Sequence, residues 1–207
     1  MDSKQWQCQM EVVRAFQKSK DLTSSQLDLR NIWLKNINLH KANLNGMDLT
    51  EAFLENTCLK EAKLRKTLLT QSTLLSLSAC KADFQEANLE RAWLKRADLT
   101  SAILTKADLR DANLSSAKLQ NTCLREADLQ RCRLSEARLD RSDFTGANLT
   151  KSLLKRALIE KCSFEQVMLT MAQLDYSYIQ QVNLIGAQLQ FVSFKQTQLE
   201  FLILGKP

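Results

Sequence analysis

The residues that could carry out chemistry are few and scattered along the chain. The sequence contains one histidine, His40, and six cysteines, while aspartate recurs at sites such as Asp83, Asp98 and Asp108. A metal site needs several histidine, cysteine or carboxylate ligands close together, and acid–base catalysis needs positioned titratable groups. No second ligand accompanies His40, and the sequence has no glycine-rich phosphate loop, GxSxG motif or HExxH motif. We therefore expect no enzyme, no metal and no cofactor.

The composition indicates a folded protein in a reducing compartment. The 207 residues are 44% hydrophobic and 25% charged, as in soluble globular domains. The first twenty residues lack the apolar core of a secretory signal, and no apolar run approaches the roughly 20 residues that span a bilayer. The cysteines form no CxxC pair, so we expect free thiols and a cytoplasmic location. The net charge of +6 is spread among acidic residues, which argues against a dedicated nucleic-acid surface.

A large apolar residue recurs at every fifth position. These centres run from Leu29 to Leu204, and 35 of the 36 are Leu, Phe or Ile. A small residue generally stands two positions before each centre. The one exceptional centre, Ala79, has Leu77 at its small position, so the two sizes are exchanged and the volume is roughly conserved. The exception therefore supports the register.

A period of five suits neither a helix nor a long strand. An α-helix would distribute these leucines around its whole surface, and a strand would send alternate leucines to opposite faces. The period fits a unit of one short extended segment and one corner. In each unit the small position and the centre point inward, the outward position lies between them, and two corner positions follow. Four corners close a square coil of twenty residues, and coils stack through parallel backbone pairing at roughly 4.8 Å.

Seven units between residues 82 and 151 show the repeat most plainly. They read ADFQE, ANLER, ADLTS, ADLRD, ANLSS, ADLQR and ANLTK. This A(D/N)LXX pattern resembles the pentapeptide repeat family over residues 27–206. The resemblance implies an all-β protein, a right-handed quadrilateral parallel β-helix of about nine coils within residues 27–207. It also makes the recurrent aspartates structural, because they stand where the family pattern has Asp or Asn.

The repeat predicts the surroundings of the cysteines and the corners. Cys132 and Cys162 take small inward positions and are expected in the core. Cys58 and Cys80 lie on one face with Cα atoms roughly 8 Å apart, beyond the roughly 7 Å limit for a disulfide. Several second corner positions hold Asn or Gly, which suits a type II turn with positive φ, whereas Lys, Arg, Glu, Ser or Gln elsewhere favours type I. We therefore expect a mixture of turns.

Both ends of the solenoid need protection. Residues 1–26 are predicted to form a cap and linker, with a helix over residues 3–19 that places Trp6, Met10, Val13 and Phe16 on one face. A membrane-surface or partner-binding helix is the alternative. At the other end, outward or corner positions become apolar on all four sides, and we hypothesise that this end pairs with a second copy. These residues are Met168, Met171, Tyr176, Tyr178, Ile185, Phe191, Phe201 and Ile203.

One side of the predicted rod carries aromatic residues. Trp33, Phe53 and Trp93 stand at outward positions separated by multiples of twenty, with Leu75 beside them. Tryptophan is enriched at interface hot spots, so these four residues predict a surface that binds another protein. The alternative is that the N-terminal segment or the linker of residues 20–26 covers them.

The sequence therefore favours a protein-binding or scaffold module. The family resemblance also implies a second candidate, since some members mimic duplex DNA and bind type II topoisomerases, but such mimicry needs an acidic surface and the net charge is +6. Weak nucleic-acid binding is a third candidate, resting on a basic group that is interleaved with acids and is most simply a solvated mixed-charge surface. Its members are Arg131, Arg133, Arg138, Arg141, Lys151, Lys155 and Arg156.

Overall fold

The computed structural model describes residues 7, 9–14 and 28–204, of which residues 28–204 form a four-sided parallel β-helix. Bridge partners on successive coils are twenty residues apart, from Trp33–Phe53 to Asn183–Ile203. Most sides of a coil pair through a single residue. One side widens near the C-terminal end into three parallel strands: β1 (Leu158–Glu160), β2 (Tyr178–Gln180) and β3 (Gln198–Glu200), in the order β1-β2-β3. This register confirms that four units make one coil.

Backbone hydrogen bonds join each unit to the coil above it. The amide of the centre Leu34 donates to the carbonyl of Phe53 at 2.7 Å, and the amide of Phe53 donates back to the carbonyl of Ile32 at 2.8 Å. A third bond joins the corners, where the amide of Asn36 donates to the carbonyl of Glu55 at 3.0 Å. The amide of the first corner residue has no backbone partner in this scheme.

Outward aspartate and asparagine side chains accept that remaining amide. Asp48 Oδ1 accepts from the amide of Thr50 at 3.0 Å, and Asn88 Oδ1 accepts from the amide of Glu90 at 3.0 Å. Such a bond typically contributes about 1 kcal/mol of net stability. The preference for Asp or Asn at the outward position is therefore explained by the hydrogen bond that its side chain accepts from the backbone, as expected for structural aspartates.

The corners differ from the predicted mixture of turns. In every unit, the second of the two corner residues has positive φ, from Asn31 to Phe201. This includes residues with long side chains, such as Lys66 (57°) and Arg131 (56°). The peptide between the two corner residues donates to one neighbouring coil and accepts from the other. A type I turn at the corner would reverse the orientation of this peptide and break both hydrogen bonds. The second corner residue therefore adopts the left-handed conformation, although that conformation costs roughly 1–2 kcal/mol for a residue other than glycine. The expectation of type I turns was wrong.

The core confirms the inward assignments. Leu77 and Ala79 are both fully buried, so the exchanged unit keeps its register. Cys132 and Cys162 are buried as predicted, and burial raises the pKa of the Cys162 thiol to about 12 and that of Cys132 still higher. Small polar residues are accommodated because their hydroxyls donate to core-facing carbonyls, as Thr67 Oγ1 does to Leu44 at 2.9 Å.

The N-terminal segment is helical where the structure describes it, at residues 7 and 9–14. Val12 is fully buried and belongs to the same apolar cluster as Ile32, whereas Met10 and Val13 are half-buried. Val12, which the sequence analysis did not name, is the most buried of the described helical residues. Trp6, Phe16 and the linker lie outside the described residues, so a helix over 3–19 that caps the first coil stays a prediction. None of the described segments is a helix long and apolar enough to cross a membrane.

Candidate protein-binding surface

The aromatic side is the side whose outward residues run from Trp33 to Ser193 in steps of twenty. Trp33 and Phe53 are bridge partners on adjacent coils, and their ring centroids are 4.9 Å apart at an angle of 36°. The Nζ atom of Lys35 lies 4.6 Å from the centroid of the Trp33 ring and 2.8 Å from Glu55 Oε1. Stacking, the cation–π contact and the ion pair therefore hold these two half-buried rings in place.

Trp93 lies two coils beyond Phe53 on the same side. Its bridge partners are Thr73 and Asn113, whose side chains provide no ring to stack against, and Trp93 is 55% exposed. Leu75 is half-buried at the corner position next to Thr73. The structure thus brings Trp33 and Phe53 into contact and leaves Trp93 as a separate exposed ring. We call Trp33, Phe53, Leu75 and Trp93 the aromatic surface.

The backbone of the rod gives no reason for aromatic residues at these outward positions. On the other sides, an outward Asp or Asn often accepts the amide of the first corner residue, as Asp128 does from Gln130 and Asn183 from Ile185. On the aromatic side, Asn113 is the one outward residue that does so among residues 28–204. The aromatic side therefore lacks a stabilising feature of the repeat, and such departures from local consistency are expected at functional sites.

A depression of about 230 Å³ adjoins Trp93. It is lined by Arg91, Ala92, Trp93, Asp111, Asn113, Arg131 and Arg133. Arg131 donates from Nε and Nη2 to the two carboxylate oxygens of Asp111, each at 2.7 Å, and this pairing lowers the pKa of Asp111. Arg133 is exposed and forms no ion pair with any residue of the described part of the chain.

Sequence analysis missed the link between Trp93 and these arginines. The spacing of twenty already put Arg133 in the column of Trp93 and Asn113, as the bridge partners confirm, but Arg131 and Arg133 were interpreted only as members of the mixed-charge basic group. The signal was present, because residues 93, 113 and 133 differ by twenty. Elsewhere in the basic group, Arg138 pairs with Asp140 at 3.5 Å and Lys155 lies 4.0 Å from Asp175, as expected for a mixed-charge surface.

The C-terminal end of the described rod exposes apolar side chains. Phe191 is 82% and Phe201 75% exposed, Met171, Tyr176, Ile185 and Ile203 are also exposed, and Met168 and Tyr178 are half-buried. A cavity of about 220 Å³ opens among apolar side chains of the final coils. Its lining includes Phe164, Ile179, Leu184, Phe194, Leu199 and Leu204.

The side chains that could bind a metal ion or act as nucleophiles are dispersed among the described residues. No three His, Cys, Asp or Glu side chains within the described ranges are placed to hold a metal ion. His40 lies at a corner with Nδ1 3.0 Å from the carbonyl of Lys60. The five cysteines among the described residues are free, and burial raises the pKa of the Cys80 thiol, which lowers its fraction of reactive thiolate.

Comparisons with known proteins agree with this architecture. The family model described as pentapeptide repeats matches in eight copies over residues 28–65, 62–100, 82–121, 94–131 and 122–166. The chain is similar to the structure of HetL, a pentapeptide repeat protein involved in heterocyst differentiation regulation from the cyanobacterium Nostoc. Identity is 26%, the TM-score is 0.52, and 91% of this chain and 93% of HetL are covered.

Two further structures show more distant similarity. Rfr23, a pentapeptide repeat protein from the cyanobacterium Cyanothece, is 22% identical with a TM-score of 0.44, covering 45% of this chain and 64% of Rfr23. QnrB1, a plasmid-mediated fluoroquinolone resistance protein, is 16% identical with a TM-score of 0.38, covering 81% and 89%. No curated protein sequence matches the chain.

Proposed function

Since this chain belongs to the pentapeptide repeat family and adopts its right-handed quadrilateral β-helix, we propose that it is a non-enzymatic module that binds another protein through the aromatic surface. The observation that carries the proposal is the half-exposed ring of Trp93, at a position where the fold favours Asp or Asn. Repeat rods present long, rigid surfaces to proteins. The regulatory involvement of HetL fits such a role. The free thiols fit the reducing cytoplasm in which we propose that the module acts.

The topoisomerase-binding alternative is disfavoured by electrostatics. A DNA mimic must present a continuous negative surface to a positively charged saddle. Here many outward acids are neutralised by neighbouring bases, as Asp98 is by Lys118 at 3.6 Å and Asp143 by Arg125 at 3.0 Å. With a net charge of +6, the surface would repel such a saddle.

The aromatic surface is tested by a pull-down from cells of the source organism. Wild type is compared with the Trp33→Ala/Phe53→Ala/Trp93→Ala variant, in which each change removes a ring from an outward position. We expect the specific partner to be lost from this variant, because buried aromatic anchors dominate interface energetics. A matched control is Tyr176→Ala/Phe191→Ala/Phe201→Ala, which removes three rings from the C-terminal end. If the first variant melts as wild type and retains every partner, the aromatic surface is not the binding site.

We further propose that the C-terminal end of the described rod pairs with a second copy of the chain. The open cavity and the exposed rings of Phe191 and Phe201 form one apolar surface next to the strand edge of β3. Both the apolar surface and the outer edge of β3, which no other described strand pairs, favour a self-complementary contact.

The end-to-end pairing predicts a concentration-dependent dimer in light scattering. The Phe191→Ser/Phe201→Ser variant should be monomeric at concentrations where wild type is dimeric, while Trp93→Ser, which changes an exposed ring elsewhere, should leave the dimer intact. A wild-type chain that stays monomeric at millimolar concentration would refute the pairing.

A further inference from the structure

The geometry points to the chemistry of the partner: we propose that the depression beside Trp93 receives an acidic segment of the partner protein, with a carboxylate on Arg133 and an apolar side chain on the Trp93 ring. This inference rests on the proposed function, because it specifies what the aromatic surface binds. The apolar and cationic parts of the site lie in one column, since Trp93, Asn113 and Arg133 are successive bridge partners. Their Cα atoms are therefore spaced by roughly 4.8 Å per coil along the rod axis.

The charge around Trp93 is unbalanced in favour of cations. Asp111, the one carboxylate that lines the depression, already accepts hydrogen bonds from Nε and Nη2 of Arg131. Arg133 lines the same depression, and Lys95 and Arg96 lie at the corner that follows Trp93; none of these three cations has an ion-pair partner in residues 28–204. Arginine is suited to bidentate contact with a carboxylate, so a partner carboxylate would supply the missing counter-charge.

The size of the depression matches one anchoring side chain of a peptide. A volume of about 230 Å³ is smaller than most small-molecule pockets but adequate for one anchoring side chain beside Trp93. Asn113 lies between Trp93 and Arg133, and its Oδ1 accepts from the amide of Ser115. Its amide nitrogen donates no hydrogen bond to any residue in the described ranges, so it can donate to a backbone carbonyl of an extended segment. The three residues thus offer apolar, polar and cationic contacts in sequence along the rod.

Single-stranded nucleic acid fits the same surface less well. Such ligands need a cationic track along the backbone and rings on which successive bases stack. The outward column continues to Leu153 beyond Arg133, so the cationic stretch is short. Trp33 and Phe53 are already in mutual contact at 4.9 Å, which leaves no space for a base between them.

A random twelve-residue peptide library displayed on phage tests the inference. After selection on the wild-type rod, we expect enriched clones to combine Asp or Glu with an aromatic or aliphatic residue. Synthetic peptides of these clones should bind at least tenfold more weakly to Trp93→Ala and to Arg133→Glu, and binding should weaken as salt rises. The control is Arg138→Glu, the same charge reversal at the outward position of the next side in the same coil, which should bind as wild type. Thermal melting of each variant confirms that it is folded.

The outcomes separate this inference from the function on which it rests. Clones that need Trp93 but are neutral or basic, and that bind Arg133→Glu as tightly as wild type, would overturn the acidic segment and leave the aromatic surface as a protein-binding site. Clones indifferent to both substitutions, or no enriched clones, would overturn both. A (dT)20 oligonucleotide that binds in an Arg133-dependent manner while acidic peptides do not would assign the site to nucleic acid instead.

Discussion

Deletion of Lys66 alone is expected to unfold the coils that follow it, whereas deletion of the whole unit 62–66 is expected to leave a folded protein. Lys66 is an exposed corner residue with a long ion pair to Glu86 at 3.5 Å, so its side chain has little direct effect on stability. Its removal shifts every later centre by one position, to the outward position of its unit. A buried leucine contributes roughly 1.5–3 kcal/mol, so exposing even ten such residues exceeds the roughly 5–15 kcal/mol that typically stabilises a folded domain.

The five-residue deletion keeps all later centres inward because it removes one whole period. It rotates the coils beyond residue 66 by one side of the square relative to the earlier coils. Trp93 therefore no longer lies on the same side as Trp33 and Phe53, but it keeps its own bridge partners, Thr73 and Asn113. Circular dichroism, thermal melting and limited proteolysis distinguish the two deletions. The five-residue period would not control the fold if the single-residue deletion melted as cooperatively as the unit deletion and resisted protease equally.

Phe144→Ala should lower the free energy of unfolding by about 3–5 kcal/mol. Phe144 is fully buried, and its ring meets that of Phe164 edge-on, with centroids 5.0 Å apart at 73°. The edge-on contact is itself worth about 0.5–1.5 kcal/mol. The surrounding coils cannot move in to fill the space left by the smaller side chain, because backbone hydrogen bonds fix the distance between them. One example is the bond from the amide of Phe144 to the carbonyl of Ser163, at 2.8 Å. A cavity therefore remains.

Urea unfolding of Phe144→Ala, Phe144→Leu and Phe191→Ala measures this effect. Phe144→Leu introduces the residue most common at centres and should cost less than about 1.5 kcal/mol. Phe191→Ala makes the same chemical change at a ring that is 82% exposed, so its effect should stay within about 0.5 kcal/mol. A loss below about 1.5 kcal/mol for Phe144→Ala would show that the stacked coils can close the cavity.

The inward-facing residues could be predicted from the sequence because their five-residue spacing follows directly from how they pack in the core. A large residue at every fifth position has one arrangement that buries all copies, and this arrangement accommodates even the exchange of Leu77 and Ala79. The aromatic surface was predicted for the same reason, since residues separated by twenty must share a side. The spacing of twenty also put Arg133 in the column of Trp93, but the two residues were not combined into one proposed site, because the charge of Arg133 was interpreted together with the basic residues near it in sequence.

The five-residue period by itself determined the square coil, the register and the core. The tertiary structure alone decided the corners, the ion pairs and the degree of exposure. Lys66 and Arg131 adopt positive φ because the corner peptides of successive coils must align for hydrogen bonding, and this requirement overrides local preference. Likewise Asp111 is engaged by Arg131, twenty residues away, while Arg133 forms no ion pair with any other residue of 28–204. The five-residue period determines whether a side chain points inward or outward, but the contacts made by an outward side chain depend on its neighbours in the adjacent coils.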